Sequence, residues 1–141
     1  MKDLIKQIHS DALTLGACDK ITGQEDLNGI IRLLFSPQGR GFCIKHQFPS
    51  RKVFRQFLKY HPEKHGVYID AGKITLDEPK NVYLVGKTTA TITFEETEGH
   101  NVCLMHGARA VIHAGGYSVV NIKKDVDSTA EIHRTGRARV L

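Results

Sequence analysis

The chain has 141 residues, 40% of them hydrophobic and 25% charged, with a formal net charge of +5 at pH 7. This composition is typical of a soluble globular protein with one or two small domains. No apolar run reaches membrane-spanning length, and charged residues interrupt the apolar ones near the N-terminus, so neither a membrane protein nor a signal peptide is expected. Cys18, Cys43 and Cys103 are too few and too scattered for a disulfide framework, which favours a cytoplasmic location.

Residues 1–65 are predicted to form a helical head, because their apolar residues recur at spacings of three and four. The first helix is expected to end near Gly16. Capping patterns mark the starts of the next three helices at Thr22 with Glu25, Ser36 with Pro37, and Ser50. The fourth helix is predicted to cover "RKVFRQFLKYH" (residues 51–61), with its apolar face formed by Val53, Phe54, Phe57 and Leu58.

Positive charge is concentrated in residues 37–65, which hold seven basic residues and only Glu63 as an acid. On the fourth predicted helix, three basic residues fall at positions i, i+4 and i+8 of one stripe, with a lysine beside them. These four residues are Arg51, Arg55, Lys59 and Lys52. The stripe is either a solvated helix face or a surface for a polyanion.

The segment "GFCIKHQFPSRKVFRQFL" (residues 41–58) resembles the helix-turn-helix of small DNA-binding domains, because a short helix, a tight turn and a Ser-capped basic helix follow in that order. Gln47 stands where that family usually has a turn glycine, and Pro49 lengthens the turn. The resemblance implies nucleic-acid binding, with phosphates contacted by Arg51, Lys52, Arg55 and Lys59. The competing interpretation is a helical bundle whose last helix shows its basic side to water.

Residues 66–141 contain a repeat of 20 residues without insertions. The matching columns are Asn81, Asn101 and Asn121; Val82, Val102 and Ile122; Ala90, Ala110 and Ala130; and Ile92, Ile112 and Ile132. A fixed period of this size predicts a parallel β-solenoid of three coils, each with about three short strands. The Ala and Ile columns are expected to face inward, and Asn is expected to occupy a corner with left-handed backbone geometry.

An antiparallel β-sandwich or jelly roll is the alternative, with hairpins at Gly115-Gly116 and Glu98-Gly99. It explains the glycines but leaves the matching columns as coincidence, so the solenoid is favoured. The predicted fold is therefore α+β, with a helical capping head over residues 1–65 and a β-solenoid over residues 66–141. This arrangement resembles small bacterial proteins with a helical head and a short β-solenoid tail, a resemblance that implies no activity and no functional residue.

The candidate metal ligands are Cys103, His106, His113 and His133. On a solenoid, His113 and His133 share an outward column one coil apart, with about 5 Å between backbones, so both imidazoles could reach one zinc ion. Cys103 and His106 fall on another side of the coil, so no four-ligand site is assembled and no metal is expected. Phosphate loops, nucleophile elbows and paired-carboxylate motifs are also missing from the sequence. We therefore expect that the protein is not an enzyme, that it has no catalytic residues and that it binds no cofactor.

The strand pattern of the last coil continues through "RTGRARVL", with Val140 in the inward column of Val120. An uncovered β edge tends to pair with another edge, so we expect a homo-oligomer in a two-fold arrangement, with Arg137 and Arg139 flanking Val140 at the interface. The leading hypothesis is a non-enzymatic interaction or scaffold module that binds a protein partner or itself. The alternative is a nucleic-acid-binding protein that uses the helix after Ser50, with the solenoid as its oligomerisation scaffold.

Overall fold

The chain divides into two compact units, Met1–His61 and Pro62–Leu141, in a computed structural model that describes residues 2–16 and 22–141. The described part of the first unit contains α1 (Lys2–Thr14), α2 (Leu27–Leu34), α3 (Pro37–His46), α4 (Arg51–Arg55) and a 3-10 turn at Leu58–Tyr60. The buried face of α1 consists of Leu4, Ile5, Ile8 and Ala12, as the spacing predicts. None of the described helices is long and apolar enough to cross a membrane. Cys18 lies outside the described residues.

Serine caps begin α3 and α4 where the sequence predicts them. Ser36 Oγ accepts a hydrogen bond from the backbone N–H of Gly39 at 3.1 Å, and Pro37 occupies the first helical turn. Ser50 Oγ accepts a hydrogen bond from the N–H of Val53 at 3.2 Å. Each bond satisfies a backbone donor that has no partner within its own helix.

The Thr22–Glu25 pattern forms its hydrogen bonds but does not begin a helix, so that part of the prediction is wrong. The Glu25 carboxylate accepts the backbone N–H groups of Thr22 and Gly23 at 2.8 and 2.9 Å. Burial opposes ionisation of this carboxyl, but the N–H donors outweigh burial and hold the pKa of Glu25 below its ordinary value. Helix α2 is capped instead by Asp26, whose carboxylate accepts the N–H of Gly29 at 2.7 Å. Aspartate caps a helix as well as threonine does.

Helix α4 is shorter than predicted, because it ends at Arg55 and does not extend to His61. Gln56 and Phe57 donate their backbone N–H groups to carbonyls three residues back, so the chain tightens into 3-10 form. A 3-10 turn rotates each successive side chain by about 20° more than an α-helix does. Phe57 therefore stays buried, while Leu58, which was predicted to face inward, is 44% exposed.

Residues 62–141, all of them described, form a β-solenoid of about four turns. After a 3-10 turn at Pro62–His65, the strands are β1 (Val67–Ile69), β2 (Gly72–Asp77), β3 (Asn81–Val85), β4 (Thr88–Phe94), β5 (Gly99–Met105), β6 (Arg109–Ala114), β7 (Val119–Lys124), β8 (Thr129–Arg134) and β9 (Arg139–Val140). The odd-numbered strands form one sheet, called the odd sheet, and the even-numbered strands form the even sheet. Each coil thus holds two strands. The predicted three strands per coil are wrong. Strands β3 to β8 have five to seven residues each, so two strands and the two turns that join them account for all 20 residues of the repeat.

Every strand pairing in the solenoid is parallel, which confirms the α+β fold with a helical head and a β-solenoid tail. The antiparallel alternative is wrong, because Gly115-Gly116 and Glu98-Gly99 lie where the chain passes from the even sheet to the odd sheet. The predicted register holds, since Ile112 pairs with Ile92 on one side and with Ile132 on the other. Strands β1 and β2 complete a first coil, which brings the three predicted coils to about four.

The recurring asparagines lie within strands of the odd sheet and have no left-handed backbone geometry, so their predicted corner position is wrong. The side-chain amide of Asn101 donates a hydrogen bond to Asn81 Oδ1 at 2.9 Å. An amide carries donors and an acceptor, so identical amides stacked in register satisfy each other. The corners instead hold glycines with positive φ, at Gly86, Gly107, Gly116 and Gly136. At Gly116 an added Cβ would lie 2.5 Å from the carbonyl oxygen of Glu95.

The core of the solenoid is formed by the inward columns of both sheets. Its buried members include Val82, Leu84, Ala90, Ile92, Phe94, Val102, Leu104, Ala110 and Ile112. Strands β3 and β5 of the odd sheet are also buried on their outward side. Four outward-facing residues there are each at most 7% exposed: Tyr83, Val85, Cys103 and Met105. Unbroken apolar runs such as "VYLV" are typical of strands buried on both faces, whereas the alternating "TATITF" of β4 buries one face completely.

Candidate functional site

Strands β8 and β9, which we call the terminal edge, are the outermost strands of the even and odd sheets. Ile132 on β8 is 45% exposed, although Ile92 and Ile112 in the same column are fully buried. This exposure arises because no strand of the described chain pairs with the far side of β8. An apolar side chain and a row of backbone N–H and C=O groups are therefore open at this edge.

Two of the three predicted interface residues, Arg139 and Val140, lie on the terminal edge, and Arg137 lies in the turn between its two strands. Val140 pairs with Val120 and is half-buried in the inward column. Arg139 in β9 and Arg137 in the preceding turn are both exposed. Two guanidinium groups therefore border the open end of an apolar column.

The basic residues of the head differ in their exposure. Lys52, Arg55 and Lys59 are exposed, whereas Nε and Nη2 of Arg51 are buried. Because α4 ends at Arg55, Lys59 lies on the following 3-10 turn and does not continue the predicted helical stripe. Between α3 and α4, Gln47 adopts the left-handed conformation that a turn glycine commonly supplies, with φ of 47°. The exposed basic surface thus consists of two residues on α4 and one on the turn after it.

The predicted histidine pair forms, but the wider cluster does not. The rings of His113 and His133 stack with their centroids 5.0 Å apart and 15° between their planes, and His133 Nε2 lies 3.2 Å from the Glu131 carboxylate. Cys103 is buried in β5 of the odd sheet, and His106 lies in the turn after it. The described residues contain no cluster of three or more His, Cys, Asp or Glu side chains that could hold a metal ion.

Comparison with known proteins adds no relative from which a function could be transferred. No protein-family model, curated protein or solved structure matches the chain.

His100 is a buried polar residue in an otherwise apolar column, where it pairs with Val120, and it is 1% exposed. Its Nδ1 lies 2.9 Å from the carbonyl oxygen of Pro79. Nδ1 therefore carries a proton, because a carbonyl oxygen only accepts. Its Nε2 lies 3.5 Å from the Glu78 carboxylate. His100 Nε2 is buried and forms no hydrogen bond, and because the residue is 1% exposed it presents no atom to an external ligand. A single histidine in an apolar column is the sequence signal for such a residue.

Proposed function

We propose that the protein is a non-enzymatic, cytoplasmic interaction module that associates with itself through the terminal edge. The observation that supports this most strongly is the 45% exposure of Ile132 at the end of an otherwise buried column. Burying a fully exposed isoleucine contributes about 1.5–3 kcal/mol, so covering the exposed 45% of Ile132 contributes roughly half of that, and pairing with another strand also satisfies the open backbone groups of β8. Val140 extends the apolar area, and Arg137 and Arg139 would form its polar rim.

Charged side chains on β8 restrict which partners fit the terminal edge. Glu131, His133 and Arg134 are all exposed on this strand. Charges on an outermost strand commonly prevent indiscriminate β pairing. The edge therefore suits a partner with matching charges and not any free strand.

The full chain is expected to sediment as an oligomer at tens of micromolar, and Ile132→Lys is expected to convert it to a monomer. The substitution should act because an ammonium group loses its hydration when it enters an apolar column. Sedimentation velocity measures both states. A chain shortened after Thr135, which lacks β9, should be impaired in the same way, because Val140 is lost with it.

Leu58→Lys is the matched control, because Leu58 is 44% exposed in the helical head and does not belong to the terminal edge. This variant should keep the wild-type oligomer. A monomeric wild-type protein would overturn the proposal. So would an oligomer that Leu58→Lys dissolves and Ile132→Lys leaves intact, because the contact would then lie in the head.

A second candidate function is nucleic-acid binding by the head, which the exposure of Lys52, Arg55 and Lys59 supports. Residues 37–65 contain Glu63 as their only acid, so little in this segment opposes a phosphate backbone. Affinity would come mainly from phosphate contacts and would fall as salt rises. In this case the solenoid would serve as the oligomerisation scaffold.

Lys52→Gln combined with Arg55→Gln is expected to weaken duplex binding. The slope of log affinity against log salt concentration should also become shallower, by the contribution of about two phosphate contacts. Lys123→Gln combined with Lys124→Gln is the matched control, because it removes the same charge from exposed positions on β7. Fluorescence anisotropy over a salt series measures the slope. If the wild-type chain binds no duplex even at low salt, or if the two double variants weaken binding equally, the head is not a nucleic-acid site.

A further inference from the structure

The even sheet has a second outermost strand, β2, at its other end. Ile74 and Leu76 of β2 are half-buried, although the residues that pair with them, Ala90 and Ile92, are fully buried. The column that contains Ile92 is thus open at both ends, with Leu76 at one end and Ile132 at the other. The two ends of one sheet therefore present the same kind of apolar surface.

We propose that the partner of the terminal edge is strand β2 of a second copy of this chain, added as one further parallel step of the solenoid. This inference rests on the self-association proposed above. Strands β2 and β8 have six residues each, and the same in-register parallel step already occurs three times between them. In that register Ala130 lies opposite Ile74 of the second copy, and Ile132 lies opposite Leu76. The Ala90 and Ile92 columns then continue from one copy into the next, whereas the third inward column of the even sheet, Phe94 and Ala114, ends at Arg134.

The polar side chains of the two edges are complementary in this register. His133 lies opposite Asp77 of the second copy, and Arg134 lies next to Glu78. Glu131 faces no acid. Asp77, Glu131, His133 and Arg134 are exposed, so they are available to a partner strand, whereas the Glu78 carboxylate is 17% exposed and already accepts the backbone N–H groups of Glu95 and Glu96. A histidine ring facing a carboxylate across parallel strands, in place of two like groups, favours this register over a shifted one.

A two-fold pairing of β8 with itself fits the same residues less well. An antiparallel pair centred on Ile132 would place Arg134 opposite Ala130 of the second copy, so that a guanidinium group would lie beside an apolar column with no acid across from it. The head-to-tail contact also keeps the parallel hydrogen-bonding pattern that every strand of the solenoid uses. Because a head-to-tail contact leaves one free edge on each outer copy, we expect a linear assembly that lengthens with concentration.

Two variants that block opposite edges test this contact. Ile132→Lys blocks the terminal edge, and Leu76→Lys blocks β2. Each variant alone should sediment as a monomer under conditions in which the wild-type chain forms species larger than a dimer. An equimolar mixture should form a one-to-one complex and nothing larger, because only one matching pair of edges remains. Formation of that complex would also show that both variants are folded.

The possible outcomes separate the two proposals. If Leu76→Lys dimerises by itself and the mixture gives no mixed complex, association through the terminal edge stands, but a two-fold contact replaces the head-to-tail one. If the wild-type chain is monomeric, or if both variants keep the wild-type oligomer, the proposed self-association through the terminal edge fails as well.

A pair of substitutions at exposed positions protects the test from a folding defect. His133→Asp should place two carboxylates opposite each other and weaken association by up to about fivefold. Adding Asp77→Lys to the same chain should restore the association, because the introduced lysine then faces the introduced aspartate. Both positions are exposed, so neither change disturbs the core. If the double variant associates as weakly as the single one, these positions do not face each other and the head-to-tail register is overturned.

Discussion

Ile112→Ala is expected to lower the free energy of unfolding of the solenoid by about 2–5 kcal/mol, the range measured for emptying a buried aliphatic site. Ile112 is 0% exposed and pairs with Ile92 on one side and with Ile132 on the other. Backbone ladders on both sides hold the strand in register, so the surroundings cannot collapse around the shortened side chain and a cavity remains. Urea denaturation followed by far-ultraviolet circular dichroism measures the loss.

Val111→Ala is the matched control for this substitution. Val111 lies on the same strand but is only half-buried on the outward face, so its truncation removes less buried area and leaves no enclosed cavity. We expect a clearly smaller loss. If Ile112→Ala, Val111→Ala and the wild-type chain all unfold at the same urea concentration, both the inward placement of the column and its register are contradicted.

Asp125→Ala is expected to cost about 3 kcal/mol, because it deletes a buried carboxylate and leaves its donors without acceptors. Asp125 is 2% exposed in the turn between β7 and β8. Its Oδ2 accepts the backbone N–H of His106, one coil earlier, at 2.8 Å. Its Oδ1 accepts the Ser128 hydroxyl at 2.7 Å and the N–H of Asp127 at 3.2 Å. One side chain therefore links two successive coils and closes its own turn.

Two further substitutions isolate the contribution of this carboxylate. Asp125→Asn keeps the shape and one acceptor oxygen, so it should cost less than Asp125→Ala. Val126→Ala changes the neighbouring residue, which is 91% exposed, and should leave the denaturation midpoint unchanged. An Asp125→Ala variant as stable as Val126→Ala would show that the hydrogen bonds at this turn contribute nothing net.

Hydrogen bonds between residues close in sequence made two helix starts of the head predictable. The errors in the head arise from a competing cap and from tertiary packing. The caps at Ser36 and Ser50 depend on a hydrogen bond three residues away, so the pattern alone identifies them. Thr22 failed as a start because Asp26, closer to the apolar stripe, competes for the same role. The burial of Nε and Nη2 of Arg51 is not visible in a charge pattern, because it depends on packing and not on spacing. The candidate nucleic-acid surface was therefore predictable as a group but not residue by residue.

The sequence by itself determined the register of the solenoid. Parallel coils bring equivalent residues together, so the period appears as columns, and the pairing of Ile92 with Ile112 follows directly from it. Only the tertiary structure decided that each coil has two strands, that Asn81 and Asn101 form an amide ladder within strands, and that Ile132 is open to solvent. A repeat states which residues are equivalent, but it does not state where each coil bends or which strand lies outermost. Those properties depend on how the whole chain closes around its core, and so no short stretch of sequence encodes them.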